Sequence, residues 1–515
     1  MLKEKMNVIK NAVKSADNKF LNFELNRKNI KVYENSVFEN GNELFFMGKD
    51  NIEKYLFIAA ETQGLQAIKK FEGEEYKEEG GAVKKCPLTT KNRIELQNIF
   101  EFTRSKTLGL VNSLGMGDRL GLANGGHIRS LNNSGFQPVL AQQSVRELTR
   151  TQRKAEDVMD AAVWAVFQEG YVSGFGSDAD HLKTPEDIDM YLKAGFTMFT
   201  FDPGEHVNNN ADTLKEEQLY SAVANLPWTE LKDTFPAAER RYVKNEIVVS
   251  PEFTLKITER DFLKAYAKYG KAILHIKKMY EYLKASAQAG TYEVEVSVDE
   301  TESVTSPFEH YFFANELKRL EVKFISLAPR FIGSFEKGID YKGDLDLFKS
   351  EYEKHLAITK HFGNYKISLH SGSDKFSVYK VIGSMKQANT HVKTAGTSYL
   401  EALKVVASKK PDVFRAILDF GASLYETEKL SYHVSADIRN LKKGSEYTNQ
   451  ELVALFYSID ARQVLHVTFG RTLTEKKSDG NFMFKNDILN CLKENEETHY
   501  EYLIKHFQKH MEPFK

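Results

Sequence analysis

Residues Tyr365 to Lys375 read Y-K-I-S-L-H-S-G-S-D-K and end on a histidine, two hydroxyls, an acid and a base: His370, Ser371, Ser373, Asp374 and Lys375. Ile367 and Leu369 alternate with Lys366, Ser368 and His370, the period of a strand, and Gly372 ends the pattern. A strand that ends in such side chains and then feeds a helical run, Phe376 to Ala388, forms one wall of a site in a parallel barrel. A lone histidine at a strand end also serves as a cap or a core residue. The chemistry therefore depends on what other strands bring beside His370.

Strand-like and helix-like segments alternate from about residue 100, the pattern of parallel βα units. The strands read as Leu108 to Leu114, Pro138 to Ala141, Tyr171 to Phe175, Phe196 to Phe201, Tyr292 to Val298, Val322 to Leu327, Tyr365 to Leu369 and His391 to Thr394. About eight such units predict an α/β fold, a (β/α)8 TIM-like barrel. Its C-terminal rim then collects Asp118, Arg119, Gln142, Asp180, His181, Asp202, Glu295, Asp299, Glu300, Arg330, His370 and Lys375. Two imidazoles among carboxylates make a nitrogen and oxygen donor set suited to zinc, manganese or nickel. No HxxxH-type spacing accompanies them, so residue types leave a metal centre and packed histidines equally open.

Glu293, Glu295 and Ser297 alternate with Val294, Val296 and Val298 and share one face of their strand, where a buried carboxylate has to be paired or ligating. Asp180 beside His181 reads either as base and ligand or as a solvated loop acid. Gly115, Gly117 and Gly121 follow a strand, but G-x-G-x-x-x-G departs from the dinucleotide fingerprint, so no nicotinamide is expected. Arg119, His127 and Arg129 in the same region suit a substrate carboxylate, for which a bidentate arginine is well shaped, or a solvated loop.

The elements around this set follow from local signals. Residues 1–95 read as a small, mainly β domain, with Ile30 to Tyr33, Leu44 to Met47 and an Asn40-Gly41 hairpin signal. Phe71 to Lys85, dense in charge and carrying Gly80-Gly81, reads as a linker. The barrel spans 96–410 with an insertion at about 205–257, and 411–515 is a mainly helical extension that contributes to the site and includes a strand at Val464 to Phe469. Helices are expected at Glu147 to Gln168 and Thr258 to Gln288. Thr184, Pro185 and Asp187 cap another that stops at Gly195.

Seventy-one lysines and arginines nearly cancel 72 aspartates and glutamates, which excludes a net field for nucleic acid or an acidic membrane and favours a small substrate. Cys86 and Cys491 form no ligand spacing, and Met1 to Asp17 has no apolar core of signal-peptide length. A cytoplasmic protein is expected, and a homo-oligomer is compatible with the sequence.

The chain resembles the tagaturonate/fructuronate epimerase family of hexuronate catabolism. The resemblance rests on G-D-R-L-G-L-A at 117–123 with G-H-I-R at 126–129, S-V-D-E-T at 297–301, S-L-A-P-R-F at 326–331, F-E-K-G-I-D-Y at 335–341, S-L-H-S-G-S-D-K-F-S-V-Y at 368–379 and Y-H-V-S-A-D at 432–437. It implies a metal-dependent barrel that interconverts two 5-keto-hexonates differing at one carbinol carbon. That carbon is β to the ketone, so exchange of an α proton does not invert it, which leaves transient oxidation or reversible carbon-carbon cleavage, and the absent dinucleotide fingerprint favours retro-aldol cleavage over oxidation. On that likeness and on rim position, Asp180 is the expected base, Glu295 the complementary acid, His181, Glu336 and His370 the metal ligands, and Arg119, Arg129 and Lys375 the carboxylate anchors. The loop A-N-G-G-H-I at 123–128 departs from the family, where a proline is expected before Gly126, and this bears on substrate range. A class II-like metal-dependent aldolase and a non-catalytic sugar-acid-binding barrel are the alternatives.

Overall fold

The computed structural model describes residues 2–12, 14–15, 17–61, 66–244, 246–386 and 389–515. Eight strands close into a barrel in chain order: Ser113–Met116, Gln137–Ser144, Gly176–Leu182, Met198–Phe201, Glu293–Val298, Ser326–Pro329, Lys366–Leu369 and Thr390–Thr394. From the third strand to the eighth the ladders are parallel. The α/β barrel expected from the alternation is thus the fold.

Alternate residues of a strand face opposite ways. Phe199, Phe201, Val294, Val296, Leu327, Ile367, Leu369 and Val392 are buried on the outer face. The inner face carries Ser113, Asp178, Asp180, Thr200, Glu295, Ser297, Ser368, His391 and Lys393, which are also buried. Barrels usually fill this space with branched apolar side chains. A polar filling is stable only where its groups find partners.

Several elements differ from expectation. The third strand is Gly176–Leu182, not Tyr171 to Phe175, and the first begins at Ser113, not Leu108. Glu147 to Gln168 divides into Val145–Thr151 and Ala155–Glu169, because Gln152 adopts a left-handed φ of 53° and ends the first helix. Val464 to Phe469 is not a strand. Ile459–Val467 is a helix that starts at the Ser458 cap. Phe71 to Lys85 is no linker either, since Glu74–Glu78 pairs with Gly81–Cys86 and sets Glu74 opposite Lys85 and Glu75 opposite Lys84. Its charge density serves cross-strand pairing. The helix after His370 spans Phe376–Ser384, and the expected end at Ala388 lies outside the described residues.

Other signals are realised. Gly41 (φ 60°) turns the hairpin in which Asn40 pairs with Glu43. Thr184 accepts from the Asp187 backbone N–H, Asp187 returns the bond in a capping box, and left-handed Gly195 ends that helix. The long helix is Glu259–Ser286, and the insertion folds as helices Glu216–Ala224 and Phe235–Tyr242 with a small hairpin. Among the described residues no helix is long and apolar enough to cross a membrane.

The chain divides into two compact units, Met1–Lys106 with Met116–Ser177 and Ala395–Glu512, and Thr107–Gly115 with Asp178–Thr394 and Pro513–Lys515. This division differs from boundaries at 95 and 410, because the N-terminal sheet and the C-terminal helices share the first unit. Within that unit the buried Glu496 carboxylate accepts from Tyr33 at 2.7 Å and pairs with Lys49 and Lys54, which ties helix Glu496–Met511 to the sheet.

Burial holds some histidines neutral. It lowers His499 to about 4, against the opposing pull of Asp118 and Glu496. An unfolded histidine takes a proton near pH 6.5, so stability from this group is complete above that value and is lost as pH falls toward 4. His499→Gln should flatten the acid limb of the unfolding free energy by about 1.4 kcal/mol per pH unit in that window. Denaturant melts at pH 7, 6 and 5 measure it, and parallel pH profiles for both proteins would contradict it.

Candidate active site

The second unit gathers its ionisable side chains at the C-terminal ends of the barrel strands. The third strand supplies three functional residues, Asp178, Asp180 and His181, because its register slips. Asp178 pairs with Met198 and Ala179 with Phe199, but Leu182 pairs with Phe201, so three steps on one strand match two on its neighbour. Such a bulge re-aims a side chain. His181 takes the extra place with φ 53°, a left-handed conformation that costs a non-glycine residue about 1 kcal/mol or more. Asp180 and His181, which strict alternation would send to opposite faces, both enter the same cluster.

At its centre lies a cation. Lys393 Nζ sits 2.7 Å from Asp178 Oδ2, 2.7 Å from Asp180 Oδ1 and 2.8 Å from Glu295 Oε1, and it donates to Thr200 Oγ1 at 2.7 Å. Its ammonium is buried, which lowers its pKa, yet the three carboxylates outweigh burial and hold it charged. Burial pushes Asp178 up to about 6, with Asp180 and Glu295 adding to Lys393's failure to offset it. Burial acts on Asp180 in the same direction, but Lys393, His181 and His370 together hold it well below the usual carboxylate range. Carboxylates that share one counter-ion separate in this way.

The imidazoles flank this core. His370 Nε2 is 2.6 Å from Glu295 Oε1 and its Nδ1 is 3.1 Å from Asp299 Oδ1. His181 Nε2 is 3.7 Å from Asp180 Oδ1, and its Nδ1 lies 3.4 Å from Asp202 Oδ2. The two rings stand edge to face with centroids 5.0 Å apart. Burial lowers both, but the acids prevail, raising His181 to about 10, chiefly through Asp180, and His370 to about 9, chiefly through Asp299. Asp180, His181 and His370 present ligand atoms within 4.8 Å of one another, and so do His181, Asp202 and Glu300. Glu295 Oε2 is buried without a hydrogen-bond partner, and His181 Nδ1 and Asp202 Oδ2 meet only each other, as an ion pair at 3.4 Å. An acid-rich pocket with two imidazoles and an orphaned donor atom fits a divalent cation.

Four of the residues expected from sequence, Asp180, His181, Glu295 and His370, thus meet in one cluster. The others are engaged elsewhere. Glu336 pairs its carboxylate with Lys342 at 3.0 Å and belongs to no described cluster of ligand groups. Lys375 gives its buried ammonium to the carbonyls of Glu336, Ile339 and Ser373. In the first unit, Arg119 binds Glu147 and lies over the Phe469 ring, leaving Nη1 unpartnered, while Arg129 binds Glu169 and Glu497. Glu293 accepts the backbone N–H groups of Leu108 and Gly109, a structural use. The sequence reading passed over Lys393 and Asp178. Lys393 alternates with His391 about Val392, and Asp178 with Asp180 about Ala179, a signal hidden by ending the third strand too early.

A family model described as tagaturonate epimerase matches residues 33–514. The tagaturonate/fructuronate epimerase of Thermotoga maritima is 41% identical over 487 residues, 94% of this chain and 97% of that protein. The native crystal structure of fructuronate-tagaturonate epimerase from Cohnella laeviribosi superposes with a TM-score of 0.88 at 37% identity, covering 94% of this chain and 96% of that one. A structure of the same protein with one glycerol gives 0.88 at 36% identity over the same shares.

Removing the central cation leaves three buried carboxylates uncompensated. Lys393→Met should destabilise the second unit by about 3–5 kcal/mol. The shift of its thermal or denaturant transition measures this, and a transition at the wild-type position would show that the ammonium is dispensable.

Proposed function

The chain belongs to the tagaturonate epimerase family, and from that premise we propose that it is an isomerase interconverting D-tagaturonate and D-fructuronate by inversion at the carbinol carbon β to the ketone. The match that runs through nearly the whole chain carries this reading. The clustering of Asp180, His181, Glu295 and His370 at the mouth of one barrel supports it chemically.

Loss of an α proton does not invert a β carbon. Reversible cleavage of the bond between the α and β carbons does, because the β carbon becomes a planar aldehyde that accepts re-addition on either face. His181 and His370 would hold a divalent cation, zinc, manganese or nickel. When bound, it supplies Lewis acidity at the ketone oxygen and balances charge on the cleaved fragment. To serve as ligands the two imidazoles give up protons, so cation binding strengthens as pH rises.

The remaining steps belong to protons on this chain. Asp180 is ionised at neutral pH, the form that accepts the carbinol proton. Lys393 Nζ stands 2.7 Å from Asp180 and 2.8 Å from Glu295. It can give one proton to Glu295 and take up the one left on Asp180. Glu295 then returns a proton to the hydroxyl formed by re-addition, which makes it the complementary acid. Burial of both carboxylates keeps water from competing for these protons.

Three measurements test this reading. A keto-uronate deuterated at the inverted carbon should keep its deuterium through epimerisation without a primary isotope effect, and Asp180→Asn should slow turnover markedly. Washout of the label would exclude cleavage, and an unaffected Asn variant would remove Asp180 as base. His181→Ala and His370→Ala should each lower the metal content of the purified protein as well as activity. Wild-type metal content in both would refute them as ligands.

A further inference from the structure

The first unit holds a cavity of about 520 Å³, a volume typical of small-molecule sites. None of its walls carries a residue of the catalytic cluster. Helix Ala155–Glu169 turns Asp157, Ala161, Trp164 and Gln168 toward it, at the three- and four-residue spacing that puts side chains on one helix face. Leu88, Leu120 and Leu122 add an apolar wall. Gly121, left-handed at φ 76°, lets that loop run against the guanidinium of Arg153, since a Cβ there would stand 3.3 Å from Nη2.

Most charges around the cavity are met within the protein. Lys54 pairs with Glu496, Lys493 with Glu53 at 2.7 Å, and Asp160 with Arg93 at 2.6 Å. Two donors are not met. Trp164 Nε1 and Asn124 Nδ2 have no hydrogen-bond partner, in side chains only 5% and 2% exposed. Asn124 Oδ1 lies 3.1 Å from His127 Nδ1, so the imidazole meets the acceptor end of the amide and leaves its donor end. A buried N–H without an acceptor costs about 1–3 kcal/mol, and two beside one cavity call for an acceptor from outside the chain.

Arg153 supplies a third donor and a positive charge. It donates to the backbone carbonyls of Asp118 and Asp157 and to Gln143 Oε1 at 3.3 Å. Burial lowers its pKa, and Asp118, Asp157, Asp160 and Glu147 oppose this from beyond ion-pair distance, so the guanidinium stays charged with no carboxylate upon it among the described residues. Glu53 and Asp157, both exposed, mark where the cavity meets solvent.

We propose that this cavity is a second binding site, for a small organic acid whose carboxylate is received by Arg153, Trp164 and Asn124 and whose carbon body lies against Leu88, Leu120 and Leu122. A carboxylate offers two oxygens to three N–H donors, one of them the planar cation that suits it best. Inorganic phosphate offers the same acceptors but nothing to cover the leucines. The site does not depend on the substrate reading above.

The chain has two tryptophans, so Trp228→Phe leaves Trp164 as its single indole emitter. In that background Trp164 fluorescence is titrated with gluconate, with glucitol and with inorganic phosphate. Gluconate should change the emission saturably, glucitol should not, and phosphate should bind at least tenfold more weakly. A charge-assisted contact accounts for about tenfold or more in affinity, so Arg153→Met should weaken gluconate by that factor and Arg153→Lys should recover part of the loss. Ala165→Leu, which fills the cavity and leaves every charge in place, should weaken gluconate as well, and it decides the matter if the Arg153 variants do not fold. No saturable response to gluconate, an equal response to glucitol, phosphate binding as tight as gluconate, or undiminished gluconate binding in Arg153→Met or Ala165→Leu would each overturn the site. Turnover is not part of the readout, so failure of the epimerase reading would leave this result standing.

Discussion

One buried ammonium among three carboxylates governs the arrangement of the barrel interior. Lys393 reaches Asp178, Asp180 and Glu295 at ion-pair distance, and each acid enters from a strand that brings other functional groups with it. Without that cation the acids would repel one another in a space sealed from water, where separating charge from solvent costs several kcal/mol per ion. With it, acids from the third and fifth strands and a base from the eighth lock to one another across the barrel, and the polar interior becomes a scaffold.

The same compensation divides the labour among the acids. Asp178 is pushed upward by burial, whereas Asp180 faces Lys393 and both imidazoles and is held low. The imidazoles in turn stand charged because acids surround them. A cluster so rich in negative charge is hospitable to a cation and hostile to an anion. Lys375 is a structural cation: its ammonium satisfies three carbonyls and fixes a loop.

Local signals in the chain carried the architecture. The βα alternation, the Thr184 cap with its box to Asp187, the Asn40-Gly41 turn and the stop at Gly195 depend on near neighbours, and each is realised in the fold. His370 and Glu295 were legible because period-two patterns flanked them with Leu369, Val294 and Val296. The third strand was misplaced for a physical reason. Its residues G-S-D-A-D-H-L are polar because they face a polar interior, and polarity ordinarily marks a loop.

Sequence alone therefore determined the succession of elements, the membership of the family through its motifs, and the strands that carry Glu295 and His370. Tertiary structure decided the rest. The bulge that turns His181 beside Asp180 depends on pairing with the fourth strand, and the role of Lys393 on acids far from it in the chain. Which partner an arginine or lysine is committed to, as with Arg119, Arg129 and Lys375, depends on neighbours brought close only by folding, because a side chain's charge is set by type but its availability by what surrounds it.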